Sequence, residues 1–293
     1  MSLGQTLVLG LIAGGTIFLG LPIGRLRNPA PGLRVLLNSA AVGVLLFLVW
    51  DVFSAAWEPI DEALSAYHAG EGGLGAAFGY GVLFVGGLAA GLVGLAWYEM
   101  WMGRRARTRL DRTDQSIGPG AMAAGEVTGV GARRRSPAAE LALLIAVGIG
   151  LHNFAEGLAI GQAAAADDIS LALLLVVGFA LHNATEGFGI VAPLTGEKDG
   201  QGVAIRPTWG FLVLLGVIGG GPTFVGAAVG HSFTSQAVSV VFLTLAAGSI
   251  IYVVTQLLAV AAKAKRPDLV AYGLLIGLVA GFATDAIIIA AGV

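Results

Sequence analysis

Apolar residues along the chain gather into eight long runs, at roughly 3–24, 35–57, 74–101, 138–164, 169–194, 208–231, 235–262 and 268–292, separated by charge clusters and by turns containing Pro or Gly. Each run is long enough to supply the ~20 residues a helix needs to cross the hydrocarbon of a bilayer. The pattern predicts an all-α polytopic membrane protein with eight transmembrane helices. The first run has no basic leading segment and is followed by Arg25 and Arg27, so it reads as the first span and not as a cleaved signal.

The runs also resemble one another in order. Gly14 to Gly20 in the first run resembles Gly220 to Gly226 in the sixth, and Ala41 to Asp51 in the second resembles Ala246 to Gln256 in the seventh, with Gly43 matching Gly248. The third and eighth share Tyr80-Gly81 and Tyr272-Gly273. The expected organisation is one transmembrane domain over 1–293, made of a first three-helix repeat (1–101), a loop (102–137), a central helix pair (138–194) and a second three-helix repeat (208–293). Two polar segments stand out between the runs. The stretch 102–137 is rich in Arg, Gly and Ala, has little to bury, and reads as a flexible loop. The stretch 58–73 holds Glu58, Asp61, Glu62, His68 and Glu71 without a basic residue, and reads as an acidic loop, either merely solvated or concentrating cations at an entrance.

Composition agrees with the pattern: 56% of the 293 residues are hydrophobic and 12% are charged, about half the charge of a soluble domain. The net charge of −2 matters less than its distribution. All sixteen Lys and Arg residues fall in alternate loops, with three after the first run, eight after the third, two after the fifth and three after the seventh. The positive-inside rule then places both termini outside and 102–137 in the cytoplasm, and makes the repeat inverted, a 3+2+3 arrangement. The Arg clusters read as anchors at anionic lipid, so no nucleic-acid partner is expected. Absence of cysteine excludes disulfides, thiolate metal sites and thiol catalysis.

The chemistry concentrates in two copies of one phrase, Leu151-His152-Asn153-Phe154-Ala155-Glu156-Gly157 and Leu181-His182-Asn183-Ala184-Thr185-Glu186-Gly187, each near the middle of an apolar run. A four-residue step turns a helix by ~400°, so each His and its Glu share one stripe. If the two helices pack side by side, two imidazoles and two carboxylates form an N2O2 cluster. A carboxylate at that depth must be paired, protonated or coordinated, and one divalent cation meets that need for two of them. Four such donors suit tetrahedral Zn2+, and Fe2+, Mn2+, Co2+ or Cd2+ would accept them as well. Asn153 and Asn183 can offer amide oxygens to a second ion or to waters of the first. A hydrogen-bonded network or a proton relay without metal is the competing reading of the same four residues.

These residues resemble the ZIP family of divalent-metal transporters, whose fourth and fifth helices carry His-Asn-x-x-Glu-Gly and His-x-x-x-Glu-Gly. The resemblance implies eight helices with both ends outside, a cytoplasmic third loop and import of zinc, iron or similar ions. It also implies His152, Glu156, His182 and Glu186 as primary metal ligands, with Asn153 and Asn183 contributing to an adjoining site. The chain departs from the family pattern at four places. Gly221 stands before Pro222 where many relatives carry Glu, Gln256 replaces the usual Glu of the seventh helix, Asp51 the usual His of the second, and Thr185 a Pro of the fifth. The missing carboxylate at Gly221 makes a single ion the expectation.

Asp51, Asp285 and Gln256 also lie within apolar runs. Asp51 and Asp285, nearer the outer end, are expected either to form an entrance relay or to snorkel. His231 and the five Trp residues sit near run ends, as interfacial groups do. The expected function is transport of a divalent metal, Zn2+ first, through the inner or plasma membrane to the cytoplasm, with no enzymatic turnover. The alternative is an intramembrane metallohydrolase using the same metal, for which the chain offers no HExxH motif and no further mid-membrane base. The expected partners are metal ions and lipid, with a homodimer left open.

Overall fold

A computed structural model describes residues 1–25, 31–115, 136–191, 194 and 205–290, and all regular structure among them is helical. The helices are α1 (Leu3–Gly15), α2 (Ile17–Gly20), α3 (Pro31–His68), α4 (Leu74–Gln115), α5 (Pro137–Ala165), α6 (Ile169–Val191), α7 (Trp209–Gly230), α8 (Gln236–Lys263) and α9 (Pro267–Ala290), with a 3-10 turn at Leu21–Arg25 after α2. Among the described residues, eight stretches are long and apolar enough to cross a membrane: Leu3–Arg25, Val35–His68, Leu74–Tyr98, Ala138–Ala165, Ile169–Val191, Trp209–Gly230, Gln236–Ala259 and Pro267–Ala290. Local signals set several starts. The Ser136 hydroxyl accepts from the Ala139 amide ahead of Pro137, and Thr208 accepts from the Phe211 amide, so each supplies a partner that the first helical turn lacks.

Two polar segments are more ordered than their composition suggests. The acidic stretch is helical as far as His68, because Ala56 and Ile60 still bury on one face while Glu58, Asp61 and Glu62 face out. At 38 residues α3 is ~57 Å long, well beyond the ~30 Å hydrocarbon. The expected loop at 102–137 begins as helix: α4 runs on to Gln115 through Arg, Ala and Leu residues of high helix propensity, with no Gly or Pro between 104 and 115. α5 in turn starts at Pro137, and residues 116–135 lie outside the described part.

Contacts among the helix ends sort onto two opposite faces. On one, the Met1 amino group reaches Asp167 and the Ala164 carbonyl, Thr6 meets His231 Nδ1 at 2.9 Å, and the Gln236 amide donates to Glu62 at 3.1 Å. The Met1 ammonium also holds the exposed Asp167 carboxyl below its ordinary range, by hydrogen bond first and charge second. On the other face, Arg25 donates to the Pro207 carbonyl and lies 4.8 Å over the Trp209 ring. These contacts fit eight alternating crossings.

Glycine sets the packing. Without a side chain, helices approach until backbones touch. The close approaches fall into two groups of helices. α1, α2, α5, α6 and α7 form one group: a Cβ on Gly20 would lie 2.8 Å from Gly187 Cα, and one on Gly226 would lie 3.0 Å from Gly157 Cα. α3, α4, α8 and α9 form the other: a Cβ on Gly43 would lie 2.9 Å from Gly277 Cα, and one on Gly91 would lie 3.1 Å from Gly248 Cα. Between the groups the surface is made of side chains, among them Leu45, Leu48 and Val52 of α3 with Leu175 and Phe179 of α6 and Leu243 and Ile250 of α8. Leu48 covers Gly178 there.

Candidate metal centre

Asp167, at φ 59°, turns the chain between α5 and α6 within three residues and returns α6 alongside α5. Asp accepts this left-handed backbone more readily than most residues. The two motifs therefore run antiparallel. His152 Nε2 lies 2.8 Å from Glu186 Oε1, and His182 Nε2 lies 3.1 Å from Glu156 Oε1. Both pairs belong to one register, since four residues forward on α5 are matched by four residues back on α6. The imidazole centroids are 6.5 Å apart with planes inclined by 28°. Donor atoms of His152, Glu156 and His182 all lie within 4.8 Å of one another, close enough to share a cation, and Glu186 joins them through His152.

All four side chains are buried, none more than 3% exposed. Apart from these two His–Glu pairs, no oxygen of Glu156 or Glu186 and neither Nε2 atom has a hydrogen-bond partner. Two buried carboxylates facing one imidazole nitrogen each leave more acceptors than donors, and such an arrangement is suited to a positive ion. The second imidazole nitrogen is partly accounted for. His182 Nδ1 lies 3.2 Å from the Gly178 carbonyl and can donate to it, which leaves the Nε2 lone pair directed at the centre in the neutral ring.

The asparagines are fully buried, and each is fixed by its amide nitrogen. Asn153 donates to the Gly219 carbonyl at 2.8 Å and Asn183 to the Ala13 carbonyl at 3.0 Å, while neither Oδ1 has a hydrogen-bond partner. Each carbonyl lies three residues before a helix irregularity. α1 is interrupted at Thr16, and α7 contains Pro222, which has no N–H to give. The irregularities bring α1 and α7 into the site.

The other candidate residues lie elsewhere. Asp51 on α3 is half-buried with Oδ2 unpartnered, Asp285 on α9 is half-buried, and Asp168, beside Asp167, is exposed. Gln256 on α8 is exposed and donates to the Tyr252 hydroxyl at 3.0 Å, so it is not among the tetrad. Thr223 was not singled out by sequence. It is fully buried on α7 with an unpartnered hydroxyl, and its Cβ packs close to Gly14. A hydroxyl next to Pro222 inside an apolar run was the available signal.

A family profile described as ZIP Zinc transporter matches residues 120–289, the part of the chain that contains both motifs and the last five spans. No individually curated protein matches the chain.

Proposed function

The chain belongs to the ZIP zinc transporter family, whose members move divalent metals across membranes, and on that premise we propose that it carries Zn2+ into the cytoplasm through a site formed by His152, Glu156, His182 and Glu186. The observation that carries this reading is the convergence of two carboxylates and two imidazole nitrogens, all buried and with no partners but each other, on one antiparallel helix pair. The ion is the substrate. Oxygen and nitrogen donors hold it strongly enough to replace its water, and without thiolate they leave it exchangeable. Asn153 and Asn183 hold the neighbouring backbone in place and turn their amide oxygens to the ion or its remaining water.

Movement between the two sides follows from the two helix groups. The metal-site helices α5 and α6 are joined by backbone contact to α1, α2 and α7, and meet α3, α4, α8 and α9 through side chains that can slide. An inverted 3+2+3 repeat is supported by contacts that occur in matched pairs: Gly20 with Gly187 and Gly226 with Gly157, Gly43 with Gly277 and Gly248 with Gly91, Asn183 with Ala13 and Asn153 with Gly219. Such symmetry gives a transporter two equivalent end states, one open to each side. The acidic Asp51, Asp285 and Asp168 region marks the outer entrance, in agreement with basic loops on the cytoplasmic side of the inner or plasma membrane.

Proteoliposomes loaded with a zinc-sensitive dye test the reading. Zinc added outside is expected to give a saturable signal that the double variant Glu156→Gln/Glu186→Gln lacks while inserting normally. Equal uptake by that variant would remove the tetrad from the path.

A further inference from the structure

We propose that a groove between α3 and α4 is a binding site for a phospholipid with an amine headgroup. On α3, Trp50, Phe53, Ser54, Trp57, Glu58 and Asp61 recur at steps of three or four residues or their sums, so they share one stripe. Together with Ala55 and with Phe84 of α4 they line an open groove of about 760 Å³. Phe84 joins the two helices, stacked on Phe53 at 5.6 Å between centroids and edge-on to Trp57 at 5.5 Å. Trp50 is 68% exposed and Trp57 48%, too open for core residues.

The stripe changes character along its length. Its lower part is aromatic, and its top carries the exposed carboxylates of Glu58 and Asp61. Neither forms an ion pair among the described residues, and no Lys or Arg occurs between 58 and 73. Glu62, one residue further on, accepts from Gln236 at the start of α8, so the carboxylates lie level with the helix ends where the headgroup layer begins. Trp50 lies ~16 Å lower along the axis.

An occupant that matches this gradient has a positive amine at the top and an apolar chain below. An ethanolamine or choline phospholipid has both. Its ammonium meets Glu58, Asp61 and the face of Trp57, an aromatic-and-acidic setting that favours alkylammonium ions. The Trp57 indole N–H supplies a donor for the phosphate, and an acyl chain lies along Trp50, Phe53 and Phe84. A lipid whose headgroup is only anionic meets two like charges and no compensating cation.

Native mass spectrometry of the purified protein tests this with phosphatidylethanolamine and phosphatidylglycerol of identical acyl chains. Retention of the ethanolamine lipid is expected to be roughly tenfold greater, and the preference is expected to vanish in Glu58→Gln/Asp61→Asn. Trp57→Leu and Phe84→Leu should each lower retention; having two such variants keeps the test valid if one fails to fold. Equal retention of the two lipids, or a preference that survives Glu58→Gln/Asp61→Asn, overturns the proposal. So does displacement of the lipid by free ethanolamine, which would identify a soluble amine as the ligand, or a second copy of the protein seated in place of lipid.

Discussion

At the scale of single residues the site is governed by the balance of donors and acceptors. Replacing Glu156 by Gln keeps the shape and removes a charge from a buried ligand set, a change on the order of 3 kcal/mol, so zinc affinity measured by calorimetry is expected to fall more than a hundredfold. Asn183→Ala removes a bond to the Ala13 carbonyl, and interhelical bonds in membranes contribute about 0.6 kcal/mol to stability on average, so the thermal midpoint is expected to fall only slightly. Protons compete for the same atoms. Metal binding requires ionised carboxylates and neutral imidazoles, so affinity should rise with pH across the acid range, and a flat profile would place the ion elsewhere. Gly221 gives a further test, because a Cβ there meets only Val217 Cγ1, at 3.8 Å. Gly221→Glu is expected to raise the stoichiometry from one ion per chain to two, read by elemental analysis of the purified protein. The convergence of the four side chains was legible in the sequence because His and Glu four apart must share a helix face. The anchors of Asn153 and Asn183 were not, since their partners are backbone carbonyls at irregularities of other helices, which no local pattern reports.

At the scale of helices, hydropathy located the spans well and their continuations poorly. The apolar runs end near 57 and 101, yet α3 continues to His68 and α4 to Gln115, because Ile60 still buries beyond the first run and residues of high helix propensity follow the other. The significance of individual glycines was also hidden, since 46 of them look alike in sequence. Their packing separates them. Gly277→Leu drives a side chain into Gly43 Cα, which a Cβ alone would approach to 2.8 Å, and should cost about 1–3 kcal/mol and lower the thermal midpoint of the detergent-solubilised protein. Gly81→Leu, where nothing lies within 4 Å, should leave that midpoint in place.

At the scale of the whole molecule, transport by relative movement predicts that locking the two helix groups together stops flux. The chain has no native cysteine, so Leu48→Cys/Gly178→Cys provides one defined cross-link across the inter-group surface. Oxidation should abolish zinc uptake and reductant should restore it, and undiminished flux through the cross-linked protein would rule out sliding at this seam. The apolar stripes predicted that helices pack, whereas the partition into two groups emerged from which helices bring backbone to backbone at glycine. The twinned contacts carry one more consequence. Under the proposed inverted repeat, Gly20→Ala and Gly226→Ala perturb counterpart positions near opposite ends of the helix bundle, each placing a Cβ within 3.0 Å of the opposing glycine Cα. Each variant serves as the other's internal reference. Any inequality in their effects on inward and outward accessibility gauges how far the resting protein leans towards one of its two orientations.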